Sequence, residues 1–136
     1  MKDLLPAFAT VAVALAIVGG AVFGAADDGT LVPPPQSVAK EFARELASAR
    51  YELAWKHLSS GARQLERAEQ LRERLDGMVQ QLGAINQVEA GEQSRTGETA
   101  AAWSRVDATG GQLHFTLTLT REHGLWAVDT WTVTRR

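Results

Sequence analysis

Residues 112–133 read "QLHFTLTLTREHGLWAVDTWTV", and the period of this stretch decides the fold. Leu113, Phe115, Leu117 and Leu119 alternate with His114, Thr116, Thr118 and Thr120. Successive side chains of a strand point to opposite faces, so the alternation predicts a strand with one apolar and one polar face. His123-Gly124 then predicts a two-residue turn into a last strand that carries Trp126 and Val128. Across such a turn odd positions on one strand face even positions on the next, so Leu117 and Leu119 share a side with Trp126 and Val128. In that register His114 and Asp129 lie on the outer face, with Leu125, Trp131 and Val133. A one-residue slip would instead bury Asp129 beside Phe115, where an apolar setting raises a carboxyl pKa and suits it to act as a base.

Upstream, "GETAAAWSRVDATGGQ" over 97–112 predicts a strand around Glu98 to Ala108 closed by a Gly-Gly turn, and an earlier strand is expected near Ala84 to Glu92. Gly83 suits a helix stop, and before it the period is helical. Ser37 is placed to cap a helix from Val38 that buries Val38, Phe42, Leu46, Ala49 and Leu53. The stripe continues through Tyr51, Ala54, Trp55 and Leu58 until Ser59-Ser60-Gly61 breaks the helix and caps the next. A further helix from Ala62 to about Leu82 buries Ala68, Leu71, Leu75, Met78 and Leu82, with Leu65 and Val79 beside them. Its mixed-sign run "RQLERAEQLRER" reads as a solvated face. Three helices followed by about four antiparallel strands is an α+β order, with helices packed on one face of a curved sheet.

The N-terminus is of a different kind. From Leu4 to Ala26 twenty-three residues pass without a charge, enough for a helix to cross the ~30 Å hydrocarbon core. Lys2 before it and Asp27-Asp28 after it place the N-terminus in the cytoplasm and the remainder outside the cell membrane. Gly24-Ala25-Ala26 also offers the small residues of a signal-peptide cleavage site, which would leave a secreted protein; the length of the apolar run favours an uncleaved single-pass anchor. Gly20 and Gly24 have the small-xxx-small spacing of helix pairs. Residues 27–36 hold Pro33-Pro34-Pro35, a stiff spacer, and residues 37–136 form one domain.

Composition narrows the chemistry. The chain has no cysteine, which excludes disulfides, thiolate zinc sites, thiol nucleophiles and a lipidated N-terminal cysteine. A net charge of −2 with interspersed signs argues against nucleic acid as a partner. No phosphate-binding glycine loop and no Gly-x-Ser-x-Gly elbow occurs, His57 has no second ligand at metal spacing, and no cofactor is expected.

The helix "FARELASARYELAWKHLSSGAR", with Phe42, Leu46, Tyr51, Ala54, Trp55 and Leu58 at its spacing, and the hairpin "REHGLWAVDTWTV" together resemble the nuclear-transport-factor-2-like (cystatin-like, SnoaL-like) superfamily. In particular they are similar to its small extracytoplasmic bacterial domains. The resemblance covers about Ser37 to Val133 and implies a cone of helices wrapped by a strongly curved sheet, often with a pocket between them. Its enzymes, ketosteroid isomerases and dehydratases among them, place Asp, His or Tyr in that pocket, and none of their catalytic positions matches this chain residue by residue.

Phe42, Tyr51, Trp55, Phe115 and Trp126 are the candidate pocket lining, and as an aromatic set they suit plain core equally. His114 and Asp129, with Thr116 and Trp131, are the candidate polar site. Three functions stay open: a membrane-anchored binding or scaffold module for a protein or small apolar ligand, a small-molecule isomerase or dehydratase, and a membrane-complex subunit recruited through its helix.

Overall fold

The computed structural model describes residues 32–136, and the predicted membrane segment Leu4 to Ala26 lies outside them. Among the described residues no helix is long and apolar enough to cross a membrane. Residues 33–136 form one compact unit. Four helices, α1 (Pro35–Ala47), α2 (Tyr51–Trp55), α3 (Ser60–Leu65) and α4 (Ala68–Leu82), precede four strands, β1 (Ile85–Thr96), β2 (Thr99–Ala108), β3 (Gly111–Glu122) and β4 (Leu125–Arg135). The strands form an antiparallel sheet in the order β1-β2-β3-β4, so the protein is α+β. Leu113, Phe115, Leu117 and Leu119 of β3 are buried with Ala102 and Val106 of β2, while Thr116 and Thr118 are exposed, as the alternation requires. Phe42, Leu46, Tyr51, Leu71 and Leu75 close the core from the helical side.

Where three helices are expected, the described residues hold four. The first does not begin at Val38 under a Ser37 cap: it starts at Pro35, whose missing N–H costs nothing in a first turn. It also ends early. Ala49 stands at φ 61°, the Ala49 N–H donates to the Leu46 carbonyl and the Arg50 N–H to the Glu45 carbonyl (2.8 Å). This is a Schellman stop built on alanine instead of glycine, so nothing in the composition marks it. The break redirects the stripe, leaving Leu53 43% exposed and Ala49 outside the core. Ser59 does cap α3, its Oγ accepting the Ala62 N–H at 3.1 Å.

The helix expected from Ala62 to Leu82 breaks at Glu66 and Arg67, both extended. The Glu66 carbonyl accepts the Trp55 indole N–H at 2.8 Å, its carboxylate takes Arg74, and the Gln70 side chain accepts the Arg67 N–H at 2.7 Å. Leu65, expected beside the core, is 85% exposed at this break. Gly83 ends α4 at φ 72°, with Thr109 so near that a Cβ would collide with its hydroxyl.

The terminal hairpin is correct at its turn and wrong beyond it. His123 and Gly124 both have positive φ, and Leu119 pairs with Val128, as the two-residue loop dictates. A bulge at Asp129 then adds one residue to β4, so Leu117 pairs with Trp131 and Phe115 with Val133. One extra residue exchanges the faces of everything beyond it. Trp131 and Val133, expected outward, therefore pack against the core. Trp131 meets Phe42 edge-on at 5.4 Å and lies 6.3 Å from Phe115, with the Arg74 guanidinium 4.2 Å over its ring. Leu125 remains outside, 55% exposed.

Candidate functional site: a cleft beside the first strand

The two edges of the sheet differ. On β4 the outer edge is engaged by the α2–α3 connection: the Ser59 N–H donates to the Val128 carbonyl at 2.8 Å and the Val128 N–H to the His57 carbonyl at 2.7 Å. On β1 no described strand or loop takes that place, and β1 pairs with β2 alone. Beside this edge lies an open cleft of about 530 Å³, lined by Gln36, Ser37 and Lys40 of α1, by Gln87 to Ala90 of β1, and by Trp103 of β2.

Each wall has a local cause. Val38 and Phe42 anchor α1 against the sheet, which turns Lys40 outward on the cleft side. Gly91 sits opposite Trp103, and a Cβ there would lie 2.6 Å from the indole nitrogen, so the ring lies flat against the backbone of β1 and stays 36% exposed. Glu89 pairs with Arg105 at 2.6 Å, and Arg105 Nε is 3.3 Å from Asp107. Farther along β1, Glu92 binds Arg95 through two hydrogen bonds of 2.8 Å, which hold its carboxyl below the ordinary range. The cleft is polar with one flat apolar wall, and its carboxylates are already paired. Such a lining can hold a ligand by backbone and side-chain hydrogen bonds; it offers no free acid–base pair.

The residues singled out from sequence lie elsewhere. Phe42, Tyr51 and Phe115 are fully buried, Trp126 nearly so, and Trp55 is half-buried; none lines the cleft. The Tyr51 hydroxyl donates to Asp76 Oδ1 at 3.2 Å, and burial, with that bond, pushes its pKa up to about 12. Trp126 is held between Arg95 and Arg121, whose guanidinium carbons stand 5.4 and 5.3 Å from its ring.

His114, Thr116, Asp129 and Trp131 do not converge. His114 bonds Gln112 at 2.9 Å on the polar face with Thr116, Trp131 faces the core, and exposed Asp129 accepts the Ser59 hydroxyl at 3.0 Å. Asp129 thus reads as the fastening of the bulge. His57 has a partner that adjacency in sequence does not show, Glu45 at 3.0 Å across the helix break. No group of three or more metal-binding side chains occurs among the described residues.

The cleft residues escaped sequence reasoning because they carry no motif. The available signal was negative: Trp103 is a large aromatic at an outward position of an alternating strand.

No family model and no curated protein matches the chain. Among solved structures, a SEC-C motif containing protein from Rhodopseudomonas palustris, determined in solution, is similar, with a TM-score of 0.51 and 14% identity over 72% of this chain and 77% of that one. At that identity the likeness bears on the fold alone.

Proposed function

We propose that the protein is a non-catalytic binding module, tethered outside the cell membrane by an uncleaved helix at Leu4 to Ala26, and that the cleft between α1 and β1 is its ligand face. On this reading the helices and curled sheet form the cone of the nuclear-transport-factor-2-like proteins, with the aromatic interior serving stability. The observation that carries the reading is the contrast between the two sheet edges. One is closed by the protein's own chain at Val128, and the other opens onto a cleft whose lining acid, Glu89, is paired with Arg105. The cleft begins at Gln36, in the first turn of α1, ten positions after Ala26 in the sequence.

The test is photo-crosslinking in intact cells that carry the full chain. A photoreactive residue at Lys40 or Gln87 should give an adduct of discrete mass, and one at Thr132, on β4 at the far edge of the sheet, should not. Equal labelling from all three positions, or none from the cleft, would reject this face as the ligand site.

A further inference from the structure

Resting on that reading, we infer that the cleft takes an extended segment of another polypeptide, which adds to the free edge of β1 as a fifth strand. An edge strand presents a row of unpaired N–H and C=O groups, and the ligand that satisfies such a row is an extended main chain. A helix has used its own backbone groups, and a small molecule has too few to match the row. The second wall is supplied by α1, so the incoming strand lies in a groove between an edge strand and a helix. Gln36 adds a local demand: its amide oxygen is shielded from water and has no hydrogen-bond partner among the described residues, a condition that a donor on the bound segment would relieve.

The edge also sets the segment's length and character. β1 shifts register between Ile85 and Gln87 and again between Glu92 and Ser94, leaving Gln87 to Glu92 as the straight portion. At about 3.4 Å per residue that is room for roughly six residues. Trp103 forms the wall beside Gly91 and favours an aromatic or aliphatic side chain at one position of the guest. The neighbouring charges, Lys40, Glu89, Glu92, Arg95 and Arg105, are of both signs and mostly paired, so the guest needs no net charge.

A second copy of this chain is the poorer occupant. Two β1 edges laid antiparallel would bring both copies' Glu89 and Glu92 into one six-residue stretch, and the flanking bulges would stop the two long strands from pairing farther.

The probe is a phage-displayed library of random linear peptides of about ten residues, selected against the full chain in detergent micelles. The peptide recovered is then made with each amide N-methylated in turn. Strand addition predicts that methylation of alternate amides weakens binding at least about tenfold while the intervening ones are tolerated. It also predicts that amide exchange slows within Gln87 to Glu92, and that Trp103→Ala weakens binding several-fold at a temperature where the variant is still folded. A flat methylation scan, or protection confined to β3 and β4, overturns strand addition while leaving the crosslinking result to stand by itself. Recovery of no peptide overturns it too, as does a stable dimer with β1 protected in the absence of peptide.

Discussion

At the scale of single residues, two side chains hold conformations or protons against their ordinary preference. Ala49 occupies the left-handed region to end α1, which an L-residue enters at roughly 1 kcal/mol or more above glycine. Ala49→Gly should therefore raise stability by about 1 kcal/mol, read as a shift of several degrees in the melting midpoint. Tyr51 is the second case. Its phenol keeps its proton up to about pH 12 in the folded protein, above the ordinary tyrosine value of about 10. A raised folded-state pKa gives stability that is complete below pH 10 and is lost as pH climbs through 12, on the order of 2 kcal/mol in all. Tyr51→Phe should cost about 1 kcal/mol near pH 8 through the lost Asp76 bond. Chemical denaturation at pH 8 and pH 11.5 should then show the wild type losing its advantage while the phenylalanine variant lacks that alkaline decline. Equal pH slopes would mean that burial and the Asp76 bond do not raise the Tyr51 pKa in the folded protein. Neither feature is legible in sequence: Ala49 looks like one more helical alanine, and Tyr51 gives no hint of an acid twenty-five positions away.

At the scale of elements, the legible part is what period alone specifies. The alternation of β3, the His-Gly turn, the Gly83 stop and the Ser59 cap each follow from local chemistry and each stands in the structure as read, whereas the expected Gly-Gly turn is made by Thr109 and Gly110, with Gly111 already in β3. What escaped are the places where tertiary contacts override period. The helix break at Glu66 is held by the Trp55 indole and Arg74, and the β4 bulge is fastened by Ser59, seventy positions from Asp129. The bulge yields a direct test. Asp129→Ala removes one hydrogen bond from an exposed residue and should cost about 0.5 to 1 kcal/mol. Deleting Asp129 removes the extra residue itself, so β4 would run without a bulge while Trp131 still pairs with Leu117 and Val133 with Phe115, and the loss should stay at about 1 kcal/mol. Tryptophan fluorescence should stay unshifted in both variants, because Trp131 keeps its place opposite Leu117. A red shift, or a loss of about 3 kcal/mol or more in the deletion, would show that β4 beyond Asp129 is not held by these pairings.

At the scale of the whole molecule, residues 33–136 close a core of their own, so nothing in the folding of this unit calls for the apolar stretch from Leu4 to Ala26. That stretch has no charge for twenty-three residues, longer than the ~7–15 residues of a signal-peptide core and long enough to span a bilayer. On the proposed reading the apolar extension is a tether that sets location, and the domain sets recognition. The arrangement predicts a full-length species that stays with membranes through an alkaline carbonate wash, because a spanning helix is not released as a surface-bound protein is. Protease added outside intact cells should remove the folded unit by cutting within 27–34, where the Pro-rich spacer offers extended chain. Intact mass gives the opposite arm: a wash-soluble protein that begins at Asp27 would show that Gly24-Ala25-Ala26 is a cleavage site and that the module is released. In that event the β1 cleft would meet its partner in solution, and the nearness of Gln36 to Ala26 in the sequence would carry no meaning for recognition.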